Sequence, residues 1–123
     1  MDKNMSYYNE QELKDLGFKY LGSNVKISNK GSIYSPETIS IGDNSRIDDF
    51  CVIKGPLEIG KFVHIAPFCL VSATKEPIII DDLVNLAYRV SVFSCSDDYS
   101  GETFPGALIP NEFKKLIHGV VHI

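Results

Sequence analysis

Cut every six residues, positions 41–76 read IGDNSR, IDDFCV, IKGPLE, IGKFVH, IAPFCL, VSATKE, which brings Ile41, Ile47, Ile53, Ile59, Ile65 and Val71 to one recurring place. The register extends upstream through LGSNVK, ISNKGS and IYSPET, with Leu21, Ile27 and Ile33 in that place and two extra residues, Ile39 and Ser40, ahead of Ile41. Downstream, after an insertion read as Pro77-Ile78-Ile79, it resumes at Ile80, Leu86 and Val92. All twelve positions are Leu, Ile or Val, although these types fill only 32 of the 123 places in the chain. A period of six fits neither the 3.6 of a helix nor plain two-residue alternation, but it suits short strands with a corner after each. An internal repeat of this kind marks a solenoid. Three hexads make one turn of eighteen residues, so IGDNSR stands one coil before IGKFVH and IDDFCV one coil before IAPFCL. That stacking sets Phe50 against Phe68 and Cys51 against Cys69. It also sets Gly42 over Gly60 at a corner, where a residue without Cβ suits a tight turn.

The flanks read differently. Asn9 with Glu12 three residues later forms a capping box, and Leu13 and Leu16 followed by Gly17 give a short amphipathic helix with a glycine stop. This helix is placed over the first coil, whose strand edges would otherwise be open. The chain is thus read as one all-β domain in three stretches: a capping helix and lead-in over 1–20, the repeat over 21–97, and a loop with an incomplete final coil over 98–123.

Composition narrows the function. With 44% hydrophobic and 23% charged residues the chain is globular rather than disordered, and a net charge of −4 without a basic run argues against nucleic acid as a partner. The N-terminus MDKNMSYYNEQ lacks the basic flank and apolar core of a signal peptide and no apolar stretch is long enough to span a membrane, so a cytoplasmic location without membrane insertion is expected. Cys51, Cys69 and Cys95 form no CxxC pair and are read as reduced thiols, the first two being small inward-facing core residues.

Hexads of this form resemble those of the hexapeptide-repeat acyltransferases. A closer resemblance runs through YYNEQELKDLGFKYLGSNVKIS, ISIGDNSRIDDFCVI, EIGKFVHIAPF and RVSVFSCSDDYSG, which look like the branch acetylating sugars or sugar nucleotides for bacterial surface polysaccharides, near the galactoside and maltose O-acetyltransferases. The resemblance implies a left-handed parallel β-helix and a homotrimer with sites in the clefts between subunits. It further implies acetyl-CoA as co-substrate, a sugar or sugar nucleotide as acceptor through a hydroxyl or amine, and a histidine base, with no metal. Family members continue into further coils that form much of the acetyl-CoA cleft. A shortened chain implies impaired turnover, or an inactive trimeric scaffold or sugar-binding module as the alternative.

The chemistry asks for a group that takes a proton from the attacking nucleophile near neutral pH, the natural task of an imidazole. His64, outward on a rigid strand and on the VHI motif, is the leading base, against a plain surface or trimer-contact histidine. His118, after the long loop, is the second candidate, and His122 lies at the chain end. Asp97 and Asp98 are assigned to orienting an imidazole or gripping a sugar hydroxyl, Tyr99 to stacking on the sugar ring, and outward Arg89 to a phosphate or a neighbouring carboxylate. The corresponding plain readings are a solvated turn, a loop anchor and a surface cation. No residue is assigned to the acetyl-CoA side.

Overall fold

The computed structural model describes residues 6–123. A helix α1 (Glu10–Asp15) leads into strands β1 (Tyr20–Leu21), β2 (Lys26–Ile27), β3 (Ser32–Tyr34), β4 (Ile39–Ile41), β5 (Arg46–Ile47), β6 (Val52–Lys54), β7 (Leu57–Ile59), β8 (His64–Ile65), β9 (Leu70–Ser72), β10 (Ile78–Ile80), β11 (Asn85–Leu86) and β12 (Ser91–Phe93). Every third strand is a neighbour. The parallel sheet β1-β4-β7-β10 makes the first face of a prism, β2-β5-β8-β11 the second and β3-β6-β9-β12 the third. The expected solenoid is therefore present, and its register is the one read from the hexads: Ile41 pairs with Ile59, Ile47 with Ile65, and Ile53 with Val71.

The recurring aliphatic residue points into the prism because alternate residues of a strand face opposite sides. Ile27, Ile39, Ile65, Val71 and Ile78 are wholly excluded from solvent. Each buried side chain of this size contributes about 1.5–3 kcal/mol. The small fifth-place residues Ser45, Cys51, Val63 and Cys69 are also buried, and burial pushes the Cys51 thiol from 9.0 up to about 11, which makes it a core group rather than a nucleophile. Phe50 and Phe68 stack outside the prism with ring centroids 5.3 Å apart. At the N-terminal end α1 carries its capping box, with Asn9 Oδ1 accepting from the Glu12 amide at 2.8 Å and Glu12 Oε1 accepting from the Asn9 amide at 2.9 Å. Leu13 closes onto the core. Among the described residues no helix is long and apolar enough to cross a membrane.

The extra residues sit elsewhere than the hexads suggest. Ile39 and Ser40 belong to β4, which pairs along its whole length with β7, and the surplus lies in the preceding corner as a 3-10 turn over Pro36–Thr38. Likewise Ile78 and Ile79 are part of β10, paired with Leu57 and Glu58, and the surplus is the corner Thr74-Lys75-Glu76. Ser94 Oγ holds that corner, accepting from the Thr74 amide at 3.2 Å and donating to the Glu76 carbonyl at 2.7 Å. A strand cannot absorb an odd residue without turning its aliphatic face outward, so corners absorb it instead.

After β12 the chain leaves the prism. β13 (Cys95–Asp97) pairs antiparallel with β14 (Leu116–His118), and β15 (Val121–His122) then returns to the first face beside β10.

The glycines explain how tightly the coils approach. A Cβ on Gly42 would lie 2.6 Å from the carbonyl carbon of Gly60, with no positive φ involved. The left-handed conformations fall two residues further on, at Asn24, Asn44, Phe62 and Leu83. Contact between coils, not turn tightness, is thus what demands glycine. Gly42→Ala is expected to destabilise by about 1–3 kcal/mol through overpacking. Gly119→Ala, with nothing within 4 Å of its added carbon, should stay within about 0.5 kcal/mol; denaturant unfolding of both variants checks this contrast.

Candidate functional site

Strand register places Lys26, Arg46, His64 and Asn85 directly opposite one another on β2, β5, β8 and β11. Their sequence neighbours Ile27, Ile47, Ile65 and Leu86 are buried, so the four side chains form a column along the outside of the second face. His64 is the centre of its contacts. Nδ1 lies 2.9 Å from Asn85 Oδ1, and Nε2 lies 2.7 Å from Asp48 Oδ2 and 3.0 Å from Arg46 Nη2. Asp48 stands just past β5 with its side chain only 4% exposed. A buried carboxylate needs a countercharge, and Arg46 supplies it, with Nε 3.0 Å from Oδ1 and Nη2 3.3 Å from Oδ2.

This arrangement gives Nε2 a partner in either protonation state. Bearing a proton, it donates to the Asp48 carboxylate; without one, it accepts from the Arg46 guanidinium. With Nδ1 donating to Asn85 Oδ1, Nε2 is the nitrogen that faces Asp48 and Arg46. Three side chains thus fix the orientation of the ring.

The sequence reading picked out His64 and missed Asp48, Arg46 and Asn85. Arg46 and Asp48 precede His64 by 18 and 16 residues and Asn85 follows it by 21. One coil is 18 residues, or 21 across the corner with the surplus, so the signal lay in the coil period applied to outward positions as well as inward ones.

The remaining candidates lie elsewhere. His118 is exposed on β14, with Nδ1 3.4 Å from Thr74 Oγ1, and His122 on β15 has Nε2 2.8 Å from Asp81 Oδ1. Among the described residues no group of three or more His, Cys, Asp or Glu side chains converges to hold a metal. Arg89 stands at a corner in the left-handed conformation, its guanidinium 5.2 Å from the Phe68 ring centroid, a cation over an aromatic face. Asp97 ends β13, and Tyr99 is 74% exposed at the start of the loop. Asp98 is buried and accepts from the Ser100 amide and hydroxyl and from Thr103 Oγ1. These bonds, the Ser100 amide first, hold its carboxyl below the usual 3.8. Its carboxylate therefore organises the loop that carries Tyr99.

Three parallel faces around a prism of hexad-spaced aliphatic residues define a hexapeptide-repeat β-helix protein, and residues 38–73 match the bacterial transferase hexapeptide (six repeats) family. More specifically, the chain is 41% identical over 122 residues to the dTDP-4-amino-4,6-dideoxy-D-glucose acyltransferase of Escherichia coli, covering 97% of this chain and 63% of that enzyme. It superposes with a TM-score of 0.92 and 42% identity on AntD, an N-acyltransferase from Bacillus cereus, in complex with dTDP and 3-hydroxybutyryl-CoA, over 96% of this chain and 63% of AntD. A mutant of AntD in complex with dTDP-4-amino-4,6-dideoxyglucose and coenzyme A gives a TM-score of 0.90 at 41% identity, over 97% of this chain and 64% of that one. The chain therefore spans less than two thirds of the length of these relatives. They are sugar-nucleotide acyltransferases, which falls on the nucleotide side of the sequence expectation.

Because hydrogen bonds to the charged form lower the folded pKa of Asp98, its stabilising effect is present above the unfolded value near 3.8 and is lost as pH falls through the lower folded value. The protection of the Ser100 amide from exchange, relative to its unfolded rate at the same pH, should fall as pH drops through the lowered folded value, and Asp98→Asn should reduce that protection at neutral pH.

Proposed function

We propose that this protein acts as an acyl-CoA-dependent N-acyltransferase on an amine of a nucleotide-linked amino sugar, working in the cytoplasm as a homotrimer in the synthesis of surface polysaccharide. The observation that carries the reading is the His64 ring held by Asp48, Arg46 and Asn85 on a rigid solenoid face, in a chain similar to enzymes that bind dTDP-sugars and coenzyme A. The acyl donor is a thioester, which supplies an electrophilic carbonyl. The sugar amine displaces the Arg46 guanidinium from His64 Nε2, which takes the amine's proton as the nitrogen bonds to that carbonyl carbon. The carbon–sulfur bond then breaks, and the proton passes to the departing sulfur, which restores Nε2 for the next cycle. Asp48 stabilises the ring while it carries the proton, and Arg46 holds that carboxylate in place.

Asp97, Tyr99 and Arg89 are assigned to the acceptor side, with Asp98 shaping the loop that presents the first two. The exposed apolar side chains of the arm, Phe104, Leu108, Phe113 and Ile117, of which Leu108 is 97% exposed, support association with neighbouring copies, because exposed apolar patches mark interaction surfaces. His118 lies on the same arm and is the second candidate for the base.

His64→Asn is expected to reduce the rate of thiol release from acyl-CoA, with dTDP-4-amino-4,6-dideoxyglucose as acceptor, by about 10²–10⁴-fold. Asp48→Asn should reduce kcat more than it raises KM and should displace the pH profile, since it acts through the imidazole. Full activity in His64→Asn would remove His64 from the mechanism.

A further inference from the structure

The contacts of His64 Nε2 hold a conflict that fixed side chains cannot resolve. Nε2 lies 2.7 Å from Asp48 Oδ2 and 3.0 Å from Arg46 Nη2. An imidazole nitrogen carries either a proton or a lone pair, and a guanidinium has only N–H groups to offer. With a proton, Nε2 donates to the carboxylate but meets Nη2 donor against donor. Without one, it accepts from Nη2 but turns its lone pair toward a carboxylate oxygen. The tautomer does not remove the conflict, because Asn85 serves Nδ1 either way, accepting through Oδ1 or, with its amide turned, donating through Nδ2. One neighbour of Nε2 therefore yields whenever its proton comes or goes.

Exposure decides which. The Asp48 side chain is 4% exposed, and its amide is tied to the Ile65 carbonyl of the next coil at 3.0 Å. The Arg46 side chain is 39% exposed and lines a cavity of about 350 Å³ along the second face, so it has room to turn. Its Nε lies 3.0 Å from Asp48 Oδ1 while Nη2 reaches both Oδ2 and the ring. The guanidinium thus rotates off the ring without leaving the carboxylate. The other charged groups nearby are engaged elsewhere: Lys26, one rung beyond Arg46, has its ammonium over the Tyr7 ring, and Asp49 accepts from Ser28 Oγ. From β11 the ring meets only the uncharged Asn85.

From this geometry we propose that Arg46 is a proton-coupled switch on the second face, an inference that deepens the reading of His64 as the base and rests on it. With Nε2 bare, the guanidinium covers it. With Nε2 protonated, Nη2 leaves the ring for the cavity and Asp48 alone holds the imidazolium. In the resting site a cation beside Nε2 opposes capture of a solvent proton, so the base stays ready. The incoming amine takes the place of the guanidinium, and the proton it delivers keeps Arg46 off the ring while the acyl group is transferred. Once that proton has passed to the departing sulfur, Nε2 is bare again. The guanidinium, as a charged donor, then outcompetes the neutral amide nitrogen of the product for the lone pair and clears it from the ring.

The test is a pH titration of the full, substrate-free chain by nitrogen NMR, following the Arg46 guanidinium and the His64 ring together. The expected result is that the Arg46 signals shift with the same midpoint as the ring, and that they are flat over that range in His64→Asn. Arg46 signals that stay still while His64 takes up its proton would overturn the switch. A second readout uses Arg46→Lys, which keeps a countercharge for Asp48 but lacks the planar fork that spans carboxylate and ring; circular dichroism establishes that it is folded. With Nε2 uncovered, the His64 ring in this variant should bind its proton about tenfold more tightly, a shift of about one pH unit. An unmoved ring titration in the folded variant would likewise overturn the proposal. Neither readout needs turnover, so a failed switch leaves the His64→Asn rate assay to judge the base, and an inactive chain whose two signals titrate together keeps the switch while losing the acyltransferase reading.

Discussion

Everything in this molecule depends on the fact that each strand is stacked in register on its counterpart one coil away, about 4.8 Å along the axis. In-register parallel pairing means that a residue type repeated at the coil period becomes a column. Inward columns of Ile, Leu and Val fill the prism, an inward column of small residues lines the next place, and glycines admit the neighbouring backbone at Gly42 and Gly60. The corners are tied by the same geometry. Asp43 accepts from the Ser23 amide at 2.8 Å and Asp82 from the Lys61 amide at 2.7 Å, each bracing the coil beside it. The outward column on the second face is no exception, so the site owes its order to the ladder that holds the core.

The fold was legible in the sequence because the physical signal is redundant. Twelve aliphatic positions report a single constraint, and the local motifs agree with it: the capping box at Asn9 forms both of its bonds, and the predicted Phe50–Phe68 stack is present. What misled the reading was local. Ile39, Ile78 and Ile79 look like interruptions because the repeat counts one aliphatic residue per hexad, yet the three-residue strands of the first face bury their two outer residues, as Ile39 with Ile41 and Ile78 with Ile80 show. Length was counted correctly and assigned to the wrong residues.

The site was legible only through its histidine. His64 stands out by residue type and by its outward place, whereas Arg46, Asp48 and Asn85 are ordinary surface residues until the coil period brings them together. Asp48 in particular follows the buried Ile47 and sits beside Asp49, whose carboxylate instead accepts from Ser28 Oγ. No local rule separates two adjacent aspartates in IDDF. The distinction comes from what the coil on either side offers: a guanidinium and an imidazole to one, a hydroxyl to the other.

One more property follows from where the surplus residues sit. The 3-10 turn at Pro36–Thr38, the corner at Thr74-Lys75-Glu76 and the departure of the β13–β14 arm all occur where the third face meets the first. The two corners bordering the second face keep a uniform coil. In a three-sided prism the variable edge is the one opposite the face that carries His64. Chain length can therefore change by whole loops along one seam while the column of Lys26, Arg46, His64 and Asn85 stays in step. The architecture separates the part of the molecule free to diversify from the part whose spacing must not drift.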